Sequence, residues 1–202
     1  KDLRALREKV ADIAAISGQL NGSINVVYGA ANWSTTVNGM HAEYQDVRPW
    51  TLKSGRYFSA EEVDRGAKVA VLGSSVTREL FDTIDPVGEI VRINNIPFEI
   101  IGVLTTRGQS GGPTDPDDVV MVPLTTARSR LVGRMFATVP DTVGSLQVRV
   151  ADGASLAAVQ EQVASVLRRQ RGIGAGQEDN FSIRNFAQLL QTGLGYGPLD
   201  AG

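Results

Sequence analysis

The stretch Val69–Leu104, VAVLGSSVTRELFDTIDPVGEIVRINNIPFEIIGVL, decides how the chain folds. It opens with the apolar run Val69–Leu72, which a Gly-Ser-Ser sequence ends. Apolar Val76, Leu80 and Phe81 follow at spacings of four and one, and this spacing predicts a short amphipathic helix. The stretch therefore begins as a buried strand followed by a helix.

The second half of the stretch predicts a β-hairpin. Residues 89–93 and 97–104 are strand-like and flank the pair Asn94-Asn95. Asn tolerates the left-handed backbone conformation that tight hairpin turns require, so this pair predicts the turn. Apolar residues alternate only in part, which indicates strands buried on one face and partly covered on the other. Strand, helix and hairpin together predict a compact α+β unit.

Four segments of this region resemble one protein family in their order and spacing. They are SGRYFSAEEV at Ser54–Val63, VAVLGSSVTRELF at 69–81, DPVGEIVRINNIPFEIIGVL at 85–104 and DDVVMVPLTTARSRLVG at 117–133. The text from Gly55 to Gly133 is similar to the extracytoplasmic core domain of MacB-type ABC-transporter permeases.

The resemblance implies an α+β fold made of two mixed α/β subdomains. In that family both chain ends form a porter-like subdomain, and a second α+β subdomain is inserted between them. On this sequence the porter-like subdomain takes residues 1–52 and 143–192, the insertion takes 53–142, and 193–202 form a flexible tail.

The resemblance also implies a non-catalytic role at the bacterial cell envelope, on the extracytoplasmic side of the cell membrane. The domain would bind a periplasmic adaptor (membrane-fusion) protein or an equivalent partner. It would belong to a permease dimer with a cytoplasmic ATPase, joined to the membrane by flanking helices that lie outside this sequence. Its task would be to transmit ATP-driven conformational change for efflux or extracytoplasmic substrate handling.

Composition excludes several other classes of function. The chain has 202 residues, 42% of them hydrophobic, which is enough for a sizeable core. Its formal net charge of −2 provides no basic field for nucleic acid. Because cysteine is absent, disulfides, thiolate metal sites and cysteine nucleophiles are excluded. No apolar run approaches the roughly 20 residues that span a bilayer, and we expect no signal peptide.

Both flanks of the central region carry regular patterns. Leu3, Leu6, Val10 and Ile13 form the stripe of an amphipathic helix, which we expect to end near Ser17-Gly18. Strands are predicted beyond it, and the C-terminal flank predicts a strand, a helix, a short strand and a last helix. The predicted strands are 23–28, 33–37, 146–150 and 181–183, and the predicted helices are 156–167, capped by Ser155, and 185–190, capped by Asn185.

Three patterns suggest chemistry, and each has a simpler interpretation. Gly73-Ser74-Ser75 lies between a strand and a helix, as phosphate loops do, but it lacks the P-loop pattern, and a helix start is favoured. Asp115, Asp117 and Asp118 could hold a hard cation, but the EF-hand pattern is not met, and a solvated acidic loop is favoured. His41 is the only histidine and no nucleophile elbow accompanies it. We predict no enzyme, no cofactor and no metal.

A partner interface is predicted instead. Residues 105–118 are rich in Gly and Pro, which predicts a surface loop. Within it, Arg107, Gln109 and Ser110 are the candidate contact residues, and Trp33 is a candidate aromatic anchor. Core packing is the alternative for the tryptophan.

Two other classes of protein fit the same residues. One is a free-standing soluble ligand-binding protein or small enzyme of the same fold class, which would have a closed apolar pocket. The other is a structural subunit that assembles through exposed edge strands.

Overall fold

The computed structural model describes residues 2–47, 50–107, 115–131 and 145–184. Helices and strands are interspersed along the chain, and the strands dominate. The short helix Leu124–Thr126 continues as a π-helical turn over Ala127–Leu131. The elements are α1 Asp2–Lys9, β1 Ile13–Tyr28, β2 Ala31–Met40, α2 Tyr44–Val47, β3 Leu52–Gly55, α3 Ala60–Asp64, β4 Val69–Leu72, α4 Ser74–Phe81, β5 Ile90–Ile93, β6 Ile96–Leu104, β7 Val119–Pro123, α5 Leu124–Thr126, β8 Ser145–Val150 and α6 Leu156–Arg171.

All eight described strands belong to one mixed sheet. Its order is β2-β7-β4-β6-β5-β1-β8, and β3 pairs with β6 beside β5. Strands β1 and β2 also pair with each other as an antiparallel hairpin from Gln19↔Met40 to Tyr28↔Ala31. This pairing joins β2, at one end of the path, to β1, so β1, β2, β7, β4, β6 and β5 form a closed circuit of hydrogen-bonded neighbours and β8 lies outside it. The fold is a mixed α+β fold with a sheet-dominated core.

The central stretch has the structure that its sequence predicts. In β4, Ala70 and Leu72 point into one apolar cluster, and Val69 and Val71 point into another on the opposite face. Because both faces are covered, all four side chains are buried, as the unbroken apolar run predicts. Helix α4 then packs its apolar residues onto the first cluster.

The predicted hairpin is confirmed at its turn. Asn94 and Asn95 have φ of 48° and 67°, the left-handed values that the Asn pair predicts. Strands β5 and β6 pair antiparallel from Ile93↔Ile96 to Ile90↔Glu99. Val119–Pro123 is likewise a fully buried strand.

The predicted end of the first helix is wrong. Helix α1 ends at Lys9, and Ser17 and Gly18 lie inside the 16-residue strand β1. There they pair with Gln147 and Leu146 of β8. The predicted helix ends early because residues 13–19 form ladder hydrogen bonds with β8, and such long-range pairing overrides a local 3.6-residue period.

For the C-terminal flank, the predicted helix is confirmed and one predicted strand is wrong. Ser155 caps α6 by accepting the Ala158 N–H, and Gly172 ends the helix with φ of 68°. Residues 181–183 are not a strand. The predicted helix from Asn185 lies outside the described residues.

The described residues form two compact units. One holds residues 12–152 and contains the sheet. The other holds residues 2–11 together with the described residues from 153 onward, and buries Leu6 of α1 and Leu167 of α6. The porter-like and inserted subdomains implied by the family stay a prediction. No helix of the described residues is long and apolar enough to cross a membrane.

Candidate partner-binding site at the base of the 105–118 loop

Asp118 fixes the predicted aromatic anchor. Its Oδ1 accepts hydrogen bonds from Trp33 Nε1 at 2.9 Å and from Thr35 Oγ1 at 2.6 Å. Both donors lie on β2, and Asp118 immediately precedes β7, which is the parallel neighbour of β2. The indole is half-buried and packs against the first apolar cluster. Trp33 is therefore held in one orientation by its ring and by its N–H.

Asp117 joins the two ends of the loop. Asp117 is 5% exposed, and its carboxylate accepts the backbone N–H of Arg107 with both oxygens, at 3.0 and 3.1 Å. The Arg107 guanidinium carbon lies 3.5 Å from the ring centroid of Trp50, which is a cation–π distance. Residue 107 is thus held through its backbone by one end of the loop and through its side chain by the core.

Asp115 links the same hydrogen-bond network to helix α4. It accepts the Ser75 hydroxyl at 2.5 Å and the Asp117 N–H at 2.9 Å. The Ser75 hydrogen bond is the largest cause that lowers the pKa of Asp115 below its usual range. We call Trp33, Thr35, Ser75, Arg107, Asp115, Asp117 and Asp118 the loop base.

The prediction of a solvated acidic loop is wrong for Asp117, whereas Asp115 is exposed and Asp118 is half-buried. Asp117 is buried, and all three carboxylates accept hydrogen bonds from protein N–H or O–H groups. Buried carboxylates need such donors because desolvation without them is costly. Within residues 2–47, 50–107, 115–131 and 145–184, no three His, Cys, Asp or Glu side chains are grouped so that they could hold a metal.

Gly73-Ser74-Ser75 is a helix start, as favoured by its sequence, and the backbone N–H groups of Gly73 and Ser75 are occupied. The Gly73 N–H donates to the Val119 carbonyl at 2.8 Å, and the Ser75 N–H donates to the Asp117 carbonyl at 3.2 Å. A Cβ at residue 73 would collide with the same two carbonyls, so glycine is required by this close approach. The N-terminus of α4 thus binds the loop base of its own chain.

The structure brings two of the four predicted contact residues to one segment. Trp33 and Arg107 both bind residues 115–118, whereas Gln109 and Ser110 lie outside the described residues. The sequence analysis missed the roles of Thr35 and Ser75. No local signal marks them, because each binds an aspartate that is distant in the sequence.

Solved structures define the class of this fold. It matches the periplasmic region of MacB from Actinobacillus actinomycetemcomitans, with a TM-score of 0.76 and 23% identity over 98% of this chain and 83% of that chain. It also matches the extracellular domain of the noncanonic ABC-type transporter YknZ from Gram-positive bacteria, with a TM-score of 0.68 and 20% identity over 85% of this chain and 82% of that chain. The fold is that of extracytoplasmic domains of ABC transporters.

Sequence comparison identifies the family. The model of the MacB-like periplasmic core domain matches residues 1–166, and the chain belongs to this family. Curated relatives named macrolide export ATP-binding/permease protein MacB are 35% identical in Chlorobaculum tepidum and 36% in Bdellovibrio bacteriovorus, each over 95% of this chain. The chain spans 28% of the length of these relatives. It is a periplasmic domain of a MacB-like ABC-transporter permease, on the extracytoplasmic side of the cell membrane.

Proposed function

We propose that this domain binds a periplasmic adaptor or equivalent partner and transmits ATP-driven conformational change across the membrane, for efflux or extracytoplasmic substrate handling. The observation that carries the proposal is the match over 95% of the chain to export ATP-binding/permease proteins. Family membership favours this function over a free-standing ligand-binding protein or small enzyme. The proposal includes a parent permease dimer, a cytoplasmic ATPase and flanking membrane helices.

The loop base supports partner binding at residues 107–115. Binding at a loop costs ordering entropy, and this cost falls when the ends of the loop are already held. Asp117 holds one end by its contact with Arg107, and Asp115 holds the other by its contact with Ser75. We assign the partner contacts to Arg107, Gln109 and Ser110. Trp33 acts through Asp118 as a positioning residue.

One side chain supports the transmission of movement. Arg171, the last residue of α6, binds the Asp2 carboxylate at the start of α1 through Nε at 3.0 Å and Nη2 at 2.5 Å. Its Nη1 donates to the side-chain oxygen of Asn180 at 2.9 Å, and its guanidinium lies 5.5 Å from the ring centroid of Phe181. Displacement of α1 would therefore be carried directly to α6 and to the segment that contains Asn180 and Phe181.

Site-specific photo-crosslinking in cells tests the partner site. A benzophenone amino acid is placed at Gln109 or Ser110 of the full-length parent protein, and crosslinked products are identified by mass spectrometry. We expect one extracytoplasmic protein of the membrane-fusion class at both positions. The matched control is Glu8, which is exposed on α1. Identical products at residues 8 and 109, or no protein product at either loop position, would refute partner binding there.

A further inference from the structure

The turn between α4 and β5 exposes apolar side chains. Ile84 is 63% exposed, Val87 38% and Ile90 54%. They are three of the five large exposed hydrophobic residues in the described part of the chain, and they lie within seven consecutive positions. A single exposed apolar residue is ordinary, but a cluster marks an interaction surface.

Hydrogen bonds hold the turn in place in the absence of a partner. Asp85 accepts the Val87 N–H at 3.1 Å and the Ser54 hydroxyl at 3.2 Å. The Gly88 N–H donates to the Ile100 carbonyl at 2.8 Å, which fixes the turn on β6. A surface that is already ordered loses little conformational entropy on binding.

The residue that leads into the turn has a strained backbone conformation. Asp82, which ends α4, has φ of 56° and ψ of −106°, outside the regions that residues with a side chain prefer. Such strain persists only when surrounding contacts hold it, here the hydrogen bond from the Asp82 N–H to the Arg78 carbonyl at 3.0 Å. The backbone conformation of Asp82 thus sets the direction in which the chain leaves α4, just before the exposed apolar residues begin.

Carboxylates outnumber basic groups around these apolar residues. Residues 78–92 contain four carboxylates, Glu79, Asp82, Asp85 and Glu89, and two arginines, Arg78 and Arg92, of which Arg78 lies 3.8 Å from Glu79. The chain as a whole is nearly balanced, with 20 basic and 22 acidic residues. This local field attracts basic groups and repels the anionic headgroups of a membrane.

We propose that Ile84, Val87 and Ile90, with the surrounding carboxylates, form a docking surface for a protein segment whose apolar side chains are flanked by Lys or Arg. We call it the acidic turn surface. Apolar contact provides the affinity, and the carboxylates select a basic partner. The surface shares no residue with the loop base, so the proposal goes beyond the partner site above and does not depend on it.

A synthetic peptide with three leucines at alternate positions between two lysine pairs serves as the probe. Its binding to the 202-residue chain is measured by fluorescence anisotropy. We expect saturable binding that weakens with salt, and affinity at least about tenfold lower for the I84S/I90S double variant. Glu79→Gln with Asp82→Asn should also weaken binding and reduce its salt dependence. The same peptide with glutamates in place of lysines should not bind.

L156S/I183S is the matched control, because Leu156 and Ile183 are also exposed, at 39% and 37%. It should bind the peptide as the unchanged chain does. Circular dichroism melts establish that each variant folds. Absence of peptide binding, or equal binding by I84S/I90S, would overturn the proposal. So would self-association of the chain, or binding to phosphatidylglycerol vesicles, that I84S/I90S abolishes, since the surface would then belong to a second copy or to a membrane.

Discussion

Glu62 shows how one side chain can organise a helix start. Its carboxylate accepts Nη1 and Nη2 of Arg56, each at 2.8 Å, and the Ser59 N–H at 2.9 Å. The Ser59 hydroxyl accepts the Glu62 N–H in return, which completes a capping box at α3. The hydrogen bond from Arg56 is the largest of the effects that lower the pKa of Glu62 from 4.5 to about 2.

Glu62→Gln should lower stability at neutral pH by about 1–2 kcal/mol, a value reduced because Arg56 is largely exposed. A depressed carboxylate pKa adds stability that is present above the unfolded pKa and is lost as pH falls through the folded pKa. The unchanged chain should therefore lose this contribution between pH 4.5 and about 2, and the variant should lack that part of the pH dependence. Urea titrations across this range measure it. Glu61→Gln, at an exposed neighbour, is the control; equal pH slopes for E62Q and the unchanged chain would contradict the assignment.

Trp33 and Asp118 should be energetically coupled. Trp33→Phe removes the indole donor, and Asp118→Asn removes the charge that accepts it at 2.9 Å. Each should cost about 1 kcal/mol, and the double variant should cost less than their sum by a similar amount. Denaturation of the four proteins completes the cycle, with Trp50 as the remaining fluorophore. Additive losses would mean that the hydrogen bond contributes nothing to holding the loop base.

At the scale of elements, the β4–α4 turn depends on a close backbone approach. Gly73→Ala should destabilise the chain by more than about 2 kcal/mol, because the new methyl group meets the carbonyl oxygens of Asp117 and Val119. Gly174→Ala is the matched control, since its Cβ would meet only the Gln177 side chain, at 3.7 Å. Thermal melts compare the two. A loss no larger for residue 73 than for residue 174 would show that the loop base moves away freely.

Elements were predictable where their causes are local. The Asn94-Asn95 turn and the Ser155 cap follow from the conformational preferences and hydrogen bonds of a few adjacent residues. Residues 23–28 of β1 were predicted as a strand, but residues 13–19 were not predictable, because they pair with β8, which is distant in sequence. The loop base was not predicted for the same reason. The composition of residues 105–118 indicates a surface loop, but Asp117 is buried through contacts with residues that are distant in the sequence.

At the scale of the whole molecule, Arg171 should stabilise the contact between helices α1 and α6. Arg171→Gln should raise hydrogen exchange in α1, since it removes the ion pair with Asp2, and should leave β4 in the other unit unchanged. Arg169→Gln, at an exposed neighbour, is the control. Hydrogen–deuterium exchange with mass spectrometry resolves both elements. Equal protection of α1 in R171Q and the unchanged chain would show that Arg171 does not tie the two helices.

The central claim is that this domain moves when its parent permease uses ATP. The domain contains no cysteine, so one cysteine at exposed Thr83 can carry a spin label in an otherwise cysteine-free parent protein. The deciding measurement is double electron–electron resonance between the two labelled copies, without nucleotide and with ATP and vanadate. We predict that the distance distribution shifts with nucleotide, and that a variant unable to hydrolyse ATP stays shifted. The same distribution in both states, or no dipolar coupling between copies, would contradict the account.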